Sequence, residues 1–118
     1  MSETPRGKKW IVPSFSPLIS LNRGLIRMRV ISEREAIKWV HTRIWESGIR
    51  PRLLAELFGR RLGINISTTP FIPQIRPGDE LLIGQIIRPR NITPEIIGNR
   101  DALRRVVIRW VVAQVLEE

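Results

Sequence analysis

The run Leu81-Leu-Ile-Gly-Gln-Ile-Ile87 constrains this chain more than any other stretch. It is apolar at positions of both parities. A strand with apolar side chains on both faces must be covered on both, so it belongs inside a sheet rather than at its edge. Pro77-Gly78-Asp79 immediately before it is a turn by its chemistry, since proline fixes φ and glycine frees the backbone. A chain of 118 residues can enclose a single core of two layers and little more. One α/β domain over residues 10–118, preceded by a flexible polar tail at 1–9, is the expected organisation.

Other elements fall around that strand. Trp10-Ile-Val-Pro-Ser-Phe15 reads as a first strand stopped by Ser16-Pro17, with Pro13 arguing for an edge position or an early end. Asn22-Arg-Gly24 is a turn signal, and Leu25–Ile31 then alternates with Arg27 and Arg29 on one face. Ser32-Glu-Arg-Glu35 is a capping box, in which the serine hydroxyl takes one free N–H and the glutamate reaches back for another. The apolar positions Ala36, Ile37, Trp39, Val40 and Ile44 carry that helix to about Glu46. A second helix opens at Pro51, lines its buried stripe with Leu53, Leu54, Leu57, Phe58 and Leu62, and stops at Gly63. Residues 64–75 read as an irregular extended segment leading into a strand. Thr93-Pro94-Glu95 starts a short helical turn ended by Gly98-Asn99. From Leu103 onward two readings stand: the apolar positions sit at helical spacing, yet Val-Val-Ile-Arg-Trp-Val-Val is rich in strand formers.

Composition excludes several chemistries. There is no cysteine and a single histidine, His41, so disulfides, thiolate metal sites and histidine metal clusters are out, and no cofactor is expected. No glycine-rich phosphate loop, paired-carboxylate site or Ser-His-Asp set can be assembled. Charges interrupt every apolar run before it reaches the length of a membrane span, and Met1–Lys9 lacks the apolar core of a secretory signal. An intracellular protein without a membrane partner is the expectation. The net charge is +9, and every basic residue except Lys8, Lys9 and Lys38 is arginine. Such a charge speeds encounter with polyanions, DNA and RNA included, although arginines spread along the whole chain fit a solvated, ion-paired surface equally well. Few amides and abundant Ile and Arg suit a heat-resistant protein.

The frame S-G-I-R-P-R-L-L-A-E-L-F-G-R-R-L-G from Ser47 to Gly63 and the stretch P-G-D-E-L-L-I-G-Q from Pro77 to Gln85, with the interval from Gly63 to Gly78-Asp79 keeping the family's spacing without a gap, resemble the small dimeric ring-nuclease family. Archaeal viruses carry that family as anti-CRISPR proteins against type III systems. Pro13-Ser14-Phe15-Ser16 and Glu35-Ala36 fit the same pattern, and the likeness runs from Ile11 to roughly Glu95. The resemblance implies an α/β (α+β) fold with a mixed sheet of about five strands covered by two main helices, and a homodimer. It favours a strand for the tail, where an apolar run from Val106 could also be exchanged between copies or paired at an edge. It further implies a pocket for cyclic tetra-adenylate, cleaved without metal by attack of a ribose 2′-hydroxyl while a histidine protonates the leaving oxygen. The setting it implies is the cytoplasm of an archaeal host, with virion association as the other option.

Departures from the family pattern concentrate at its chemistry. The position of the catalytic histidine is Pro51, the asparagine of the first loop is Pro13, and an Asn-Arg pair after the second helix is Thr69-Pro70. The pocket arginine falls at Pro89, flanked by Arg88 and Arg90, and a glutamate just beyond it is missing. Ser16 and Gln85 fit. A positioned general acid contributes ~10²–10⁴-fold in rate, so losing it predicts slow or absent cleavage. Binding survives better. A helix start presents free N–H groups to an anion, and arginine grips phosphate with a planar fork. The candidate ligand-binding set is therefore Ser16, Arg50, Pro51, Arg52, Gln85, Arg88 and Arg90, with no catalytic residue assigned. For each a plainer role competes: a helix-starting proline at 51, a solvated helix start for Arg50 and Arg52, a loop cap for Ser16, surface arginines at 88 and 90. His41 reads as a surface or interface residue rather than a relocated acid. Three functions follow: a binder that sequesters cyclic tetra-adenylate, a basic nucleic-acid-binding or virion-associated protein on the same fold, and an active ring nuclease with substituted residues.

Overall fold

A computed structural model describes residues 7–19 and 25–116. The elements run β1 (Lys9–Val12), α1 (Ser16–Ile19), β2 (Leu25–Ile31), α2 (Glu33–Thr42), β3 (Glu46–Ser47), α3 (Arg52–Leu62), β4 (Glu80–Arg88), α4 (Pro94–Gly98), α5 (Arg100–Arg105) and β5 (Val107–Leu116). The strands form one mixed sheet in the order β2-β5-β4-β1-β3. β4 is its middle strand, parallel to β1 and antiparallel to β5, as its two apolar faces require.

The two faces are covered unequally. One carries Ile11, Leu82 and Trp110 beneath α2, α3 and α4, which supply Ala36, Trp39, Val40, Leu57, Phe58, Leu62 and Ile97. Phe58 and Trp110 meet there at a ring-centroid distance of 5.2 Å and a tilt of 60°, a favourable aromatic geometry. Gly84 lies under them, and a Cβ on it would come within 2.8 Å of both rings. The opposite face holds Val12, Leu81, Ile83, Val111, Ala113 and Val115, covered among the described residues by Phe15, Leu18 and Ile75. Its margin at β2 leaves Met28 and Val30 exposed.

Several expectations need correction. β1 ends at Val12, not Phe15, because the chain bends at Pro13–Phe15 and Ser16 opens the short α1, which the sequence reading missed. β1 lies between β4 and β3, so Pro13 marks the early end and not an edge. The capping box on α2 forms, with Glu35 N–H donating to Ser32 Oγ at 3.1 Å, but the helix stops at Thr42 instead of reaching Glu46. Trp45 turns back to donate its indole N–H to Val40 O, and Glu46–Ser47 pairs with Trp10–Ile11 as β3. Ile44, placed on the buried stripe by its spacing, is 95% exposed. No strand forms between Ile64 and Asp79. The tail divides: Leu103 belongs to α5, an unforeseen helix capped by Asn99, and Val107 onward is β5. Paired on both sides within its own chain, β5 is not an edge strand. The Asn22–Gly24 turn and residues 1–6 of the polar tail lie outside the described residues.

Candidate functional site

Because β1, β3 and β4 are parallel, their carboxyl ends lie on one side of the sheet, the usual place for ligands in α/β folds. Two loops meet there. Pro13–Phe15 leaves β1 toward α1, and Gly48–Pro51 leaves β3 toward α3. Gly48 N–H donates to Ile11 O at 2.8 Å, which extends the β1–β3 pairing into the second loop. A Cβ at Gly48 would stand 2.5 Å from the Pro73 ring and 2.7 Å from Val12, so only glycine lets these segments approach so closely. Ile49 is buried beneath, its N–H donating to Ser47 Oγ and its carbonyl accepting from Thr69 N–H.

Between the loops lies a recess of about 300 Å³ lined by Ser14, Ser16, Pro17, Arg50, Pro51 and the Ile72–Pro73 wall, among others. Three of the seven sequence-predicted residues, Ser16, Arg50 and Pro51, thus share one cavity although 34 positions separate Ser16 from Arg50. Pro51 is the N-cap of α3, one residue outside the helix, with φ −71° and ψ 126° and no side-chain cap bond. The Pro51 side chain has no acceptor to offer, and among the described residues no side chain caps the first-turn N–H groups of α3. Arg50 is exposed and makes no hydrogen bond or ion pair among the described residues. Ser14 Oγ accepts from Ser16 N–H at 3.3 Å and donates to Ser16 Oγ at 3.1 Å. Ser14 is therefore the local cap, and its hydroxyl bond leaves the Ser16 Oγ–H directed elsewhere.

The remaining four residues lie apart from this recess. Arg52 turns along α3 to Glu56, with Nε 3.2 Å from the carboxylate, an exposed i,i+4 pair. Gln85 is half-buried on β4, paired in register with Arg109 of β5 and two residues beyond the Ile83–Val12 pair. Arg88 and Arg90 are exposed at the end of β4. His41 sits near the far end of α3, its Nε2 3.2 Å from Leu62 O, which fits the surface role and not a relocated acid. Among the described residues no three His, Asp or Glu side chains converge as metal ligands.

A larger cavity of about 780 Å³ adjoins the recess across the shared Ile72–Pro73 wall and reaches Trp10, Glu46, Phe71 and Arg76. Phe71 on its rim is 76% exposed. The sequence reading missed Ser14, Ile72 and Pro73. Of these only Ser14 had a visible cue, its place within the Pro13–Ser16 match.

No family model matches the chain, and none of the curated proteins matches it in sequence. Among solved structures it is similar to B116 of Sulfolobus turreted icosahedral virus, with a TM-score of 0.69 over 92% of this chain and 99% of that one. The fold is shared. At 17% identity the likeness establishes the architecture alone. No helix among the described residues is long and apolar enough to cross a membrane.

Proposed function

We propose that this protein binds cyclic tetra-adenylate in the Ser16–Pro51 recess and cleaves it slowly or not at all. The observation that carries this reading is the convergence of Ser16 with the uncapped start of α3 and the unpaired Arg50 in one cavity. A phosphodiester seated there meets free N–H groups, a partial positive charge and a guanidinium fork. Pro51 has no proton to give, so the leaving oxygen lacks its acid. A ring ligand with repeated halves calls for two copies of the site, and we place the protein as a homodimer. The exposed Met28 and Val30 offer apolar surface for that pairing. Gln85, Arg88 and Arg90, on the part of β4 that runs beyond β1, complete the proposed ligand set. The shared fold with a protein of an archaeal virus supports a viral origin and action in the cytoplasm of an archaeal host.

Titration calorimetry with cyclic tetra-adenylate tests the binding. Saturable heat with one ring per two chains is expected, and no heat at high micromolar concentration removes the reading. In single-turnover assays at elevated temperature the wild type is expected to stay nearly flat. Pro51→His should raise the rate, up to the ~10²–10⁴-fold of a placed general acid. A fast wild-type turnover would instead establish an enzyme using substituted residues.

A second reading rests on a separate observation. Arg88, Arg90, Arg100, Arg104 and Arg105 are exposed and make no ion pair among the described residues. Nucleic-acid binding through them, with virion association as one setting, predicts affinity that falls steeply with salt.

A further inference from the structure

The side of the molecule away from the recess carries an arrangement that the cyclic-nucleotide reading does not use. On the helix-covered face, at the amino end of β4, Arg27, Arg29, Trp39, Arg43, Glu80, Val112 and Gln114 enclose a hollow of about 220 Å³. Three guanidinium groups face one carboxylate. That carboxylate is already engaged: Glu80 Oε1 accepts the Trp39 indole N–H at 2.6 Å, and Oε2 accepts the Gln114 amide at 3.2 Å. Arg43 Nε reaches Glu80 only at 3.5 Å, which is an ion pair but not a strong hydrogen bond.

The arginines are held in graded fashion. Arg43 is fixed three ways, by Glu80, by Thr42 Oγ1 at 3.1 Å, and by stacking 5.5 Å above the Trp39 ring. Trp39 is itself buried and pinned by its bond to Glu80, so the guanidinium rests on a rigid platform. Arg29 touches Glu35 at 3.4 Å with both side chains more than half exposed, a contact of little strength. Arg27 has no partner among the described residues. It lies two positions from Arg29 on the same strand face, and neighbours of that kind are about 7 Å apart. Cationic side chains on the outer strand also deter edge-to-edge pairing, which accounts for charge at Arg27 and Arg29. It does not account for Arg43, which belongs to no strand and is positioned toward the same hollow.

We infer that this hollow is a second anion site, which takes a short polyphosphate, free or borne on a nucleotide, between Arg43 and the Arg27–Arg29 pair. Two features point to a short polyphosphate and not to a nucleic-acid backbone. The hollow is a small, partly open depression between helix and sheet, and its three arginines border one volume of about 220 Å³ rather than a long surface track. Arginine forks suit the several terminal oxygens of such an anion. The site lies at the opposite end of the parallel strands from Ser16 and Arg50, so the two ligands are expected to bind independently.

The probes are sodium tripolyphosphate and ATP without metal, titrated calorimetrically into the full chain in low salt. Binding of tripolyphosphate is expected, and weakening by about tenfold or more in the double variant Arg27→Gln/Arg29→Gln, as charge-assisted hydrogen bonds are lost. Both residues are exposed, so that variant should keep its thermal midpoint. Arg43→Lys, which keeps the charge and loses the fork, should give an intermediate loss. ATP binding at the same affinity assigns a free polyphosphate, and tighter ATP binding assigns a nucleotide. The cyclic tetra-adenylate affinity of Arg27→Gln/Arg29→Gln should equal that of the wild type, which separates this site from the Ser16–Pro51 recess. The inference is overturned if tripolyphosphate does not bind, if Arg27→Gln/Arg29→Gln binds it normally, if Arg50→Gln abolishes it, or if an unphosphorylated single-stranded oligonucleotide displaces it.

Discussion

The two ends of helix α3 are built in opposite ways. At its carboxyl end Gly63 closes the helix in the left-handed conformation, its N–H donating to Gly59 O. Arg61 reaches Glu33 of α2 at 2.7 Å and donates to the carbonyls of Leu103 and Val106 beside α5. Glu33 in turn accepts the Trp110 indole N–H from the sheet below. One guanidinium thus joins three helices and a strand. At the amino end there is a proline cap whose side chain has no acceptor, an Arg50 without a partner among the described residues, and a recess. The contrast lies within eleven residues: polar groups at the carboxyl end satisfy one another and fix the fold, whereas the first turn at the amino end has no side-chain cap.

Breaking the carboxyl end should have the largest effect. Arg61 is 15% exposed and Glu33 34%, so Arg61→Met strands a partly buried carboxylate and two carbonyls. A loss of about 3 kcal/mol is expected, the low end for a broken buried pair because Glu33 keeps some solvent. The midpoint of urea unfolding checks it, and folded protein should still bind cyclic tetra-adenylate normally. Next comes the amino end. Arg50→Ala should weaken the ligand by about 2 kcal/mol, close to thirtyfold, while stability stays within about 0.5 kcal/mol. Calorimetry and unfolding on the same sample test both halves. A stability loss as large as that of Arg61→Met would erase the distinction. The smallest effect belongs to His41→Ala. It removes one hydrogen bond to Leu62 O near the surface, costs about 0.5–1 kcal/mol, and leaves any residual cleavage rate unchanged. A slower rate would make His41 part of the chemistry.

What could be read from the sequence follows the same division. Local chemistry was legible: the Ser32–Glu35 box, the Gly63 stop, the Thr93 cap and the apolar β4 all appear where their residues place them. Elements decided by distant partners were not. Ile44 sits at helical spacing, yet α2 ends at Thr42 because Glu46–Ser47 is needed beside β1, a demand invisible in residues 33–46. The short α5 was hidden because Leu103 and the β5 valines share a helical repeat, and Asn99 accepts from Asp101 and Ala102 N–H to start a helix the strand formers masked. At the site, Ser16 and Arg50 are far apart in chain order and line one recess in the fold. The wall that joins them, Ile72–Pro73, comes from an irregular segment whose course is set by Gly48 and Pro73 packing together, for which no local pattern exists.

The proposed phosphate seat is the uncapped start of α3. Pro51→Asp tests it most directly, because an aspartate there supplies the missing cap. Its carboxylate should accept the free first-turn N–H groups and complement the helix dipole, raising stability by up to about 1 kcal/mol. The same carboxylate should occupy and repel the phosphate position. Thermal unfolding and titration with cyclic tetra-adenylate, run on one preparation, are predicted to report a protein that is at least as stable as the wild type and does not bind. A stable Pro51→Asp variant with wild-type affinity would show that the start of α3 does not hold the phosphate.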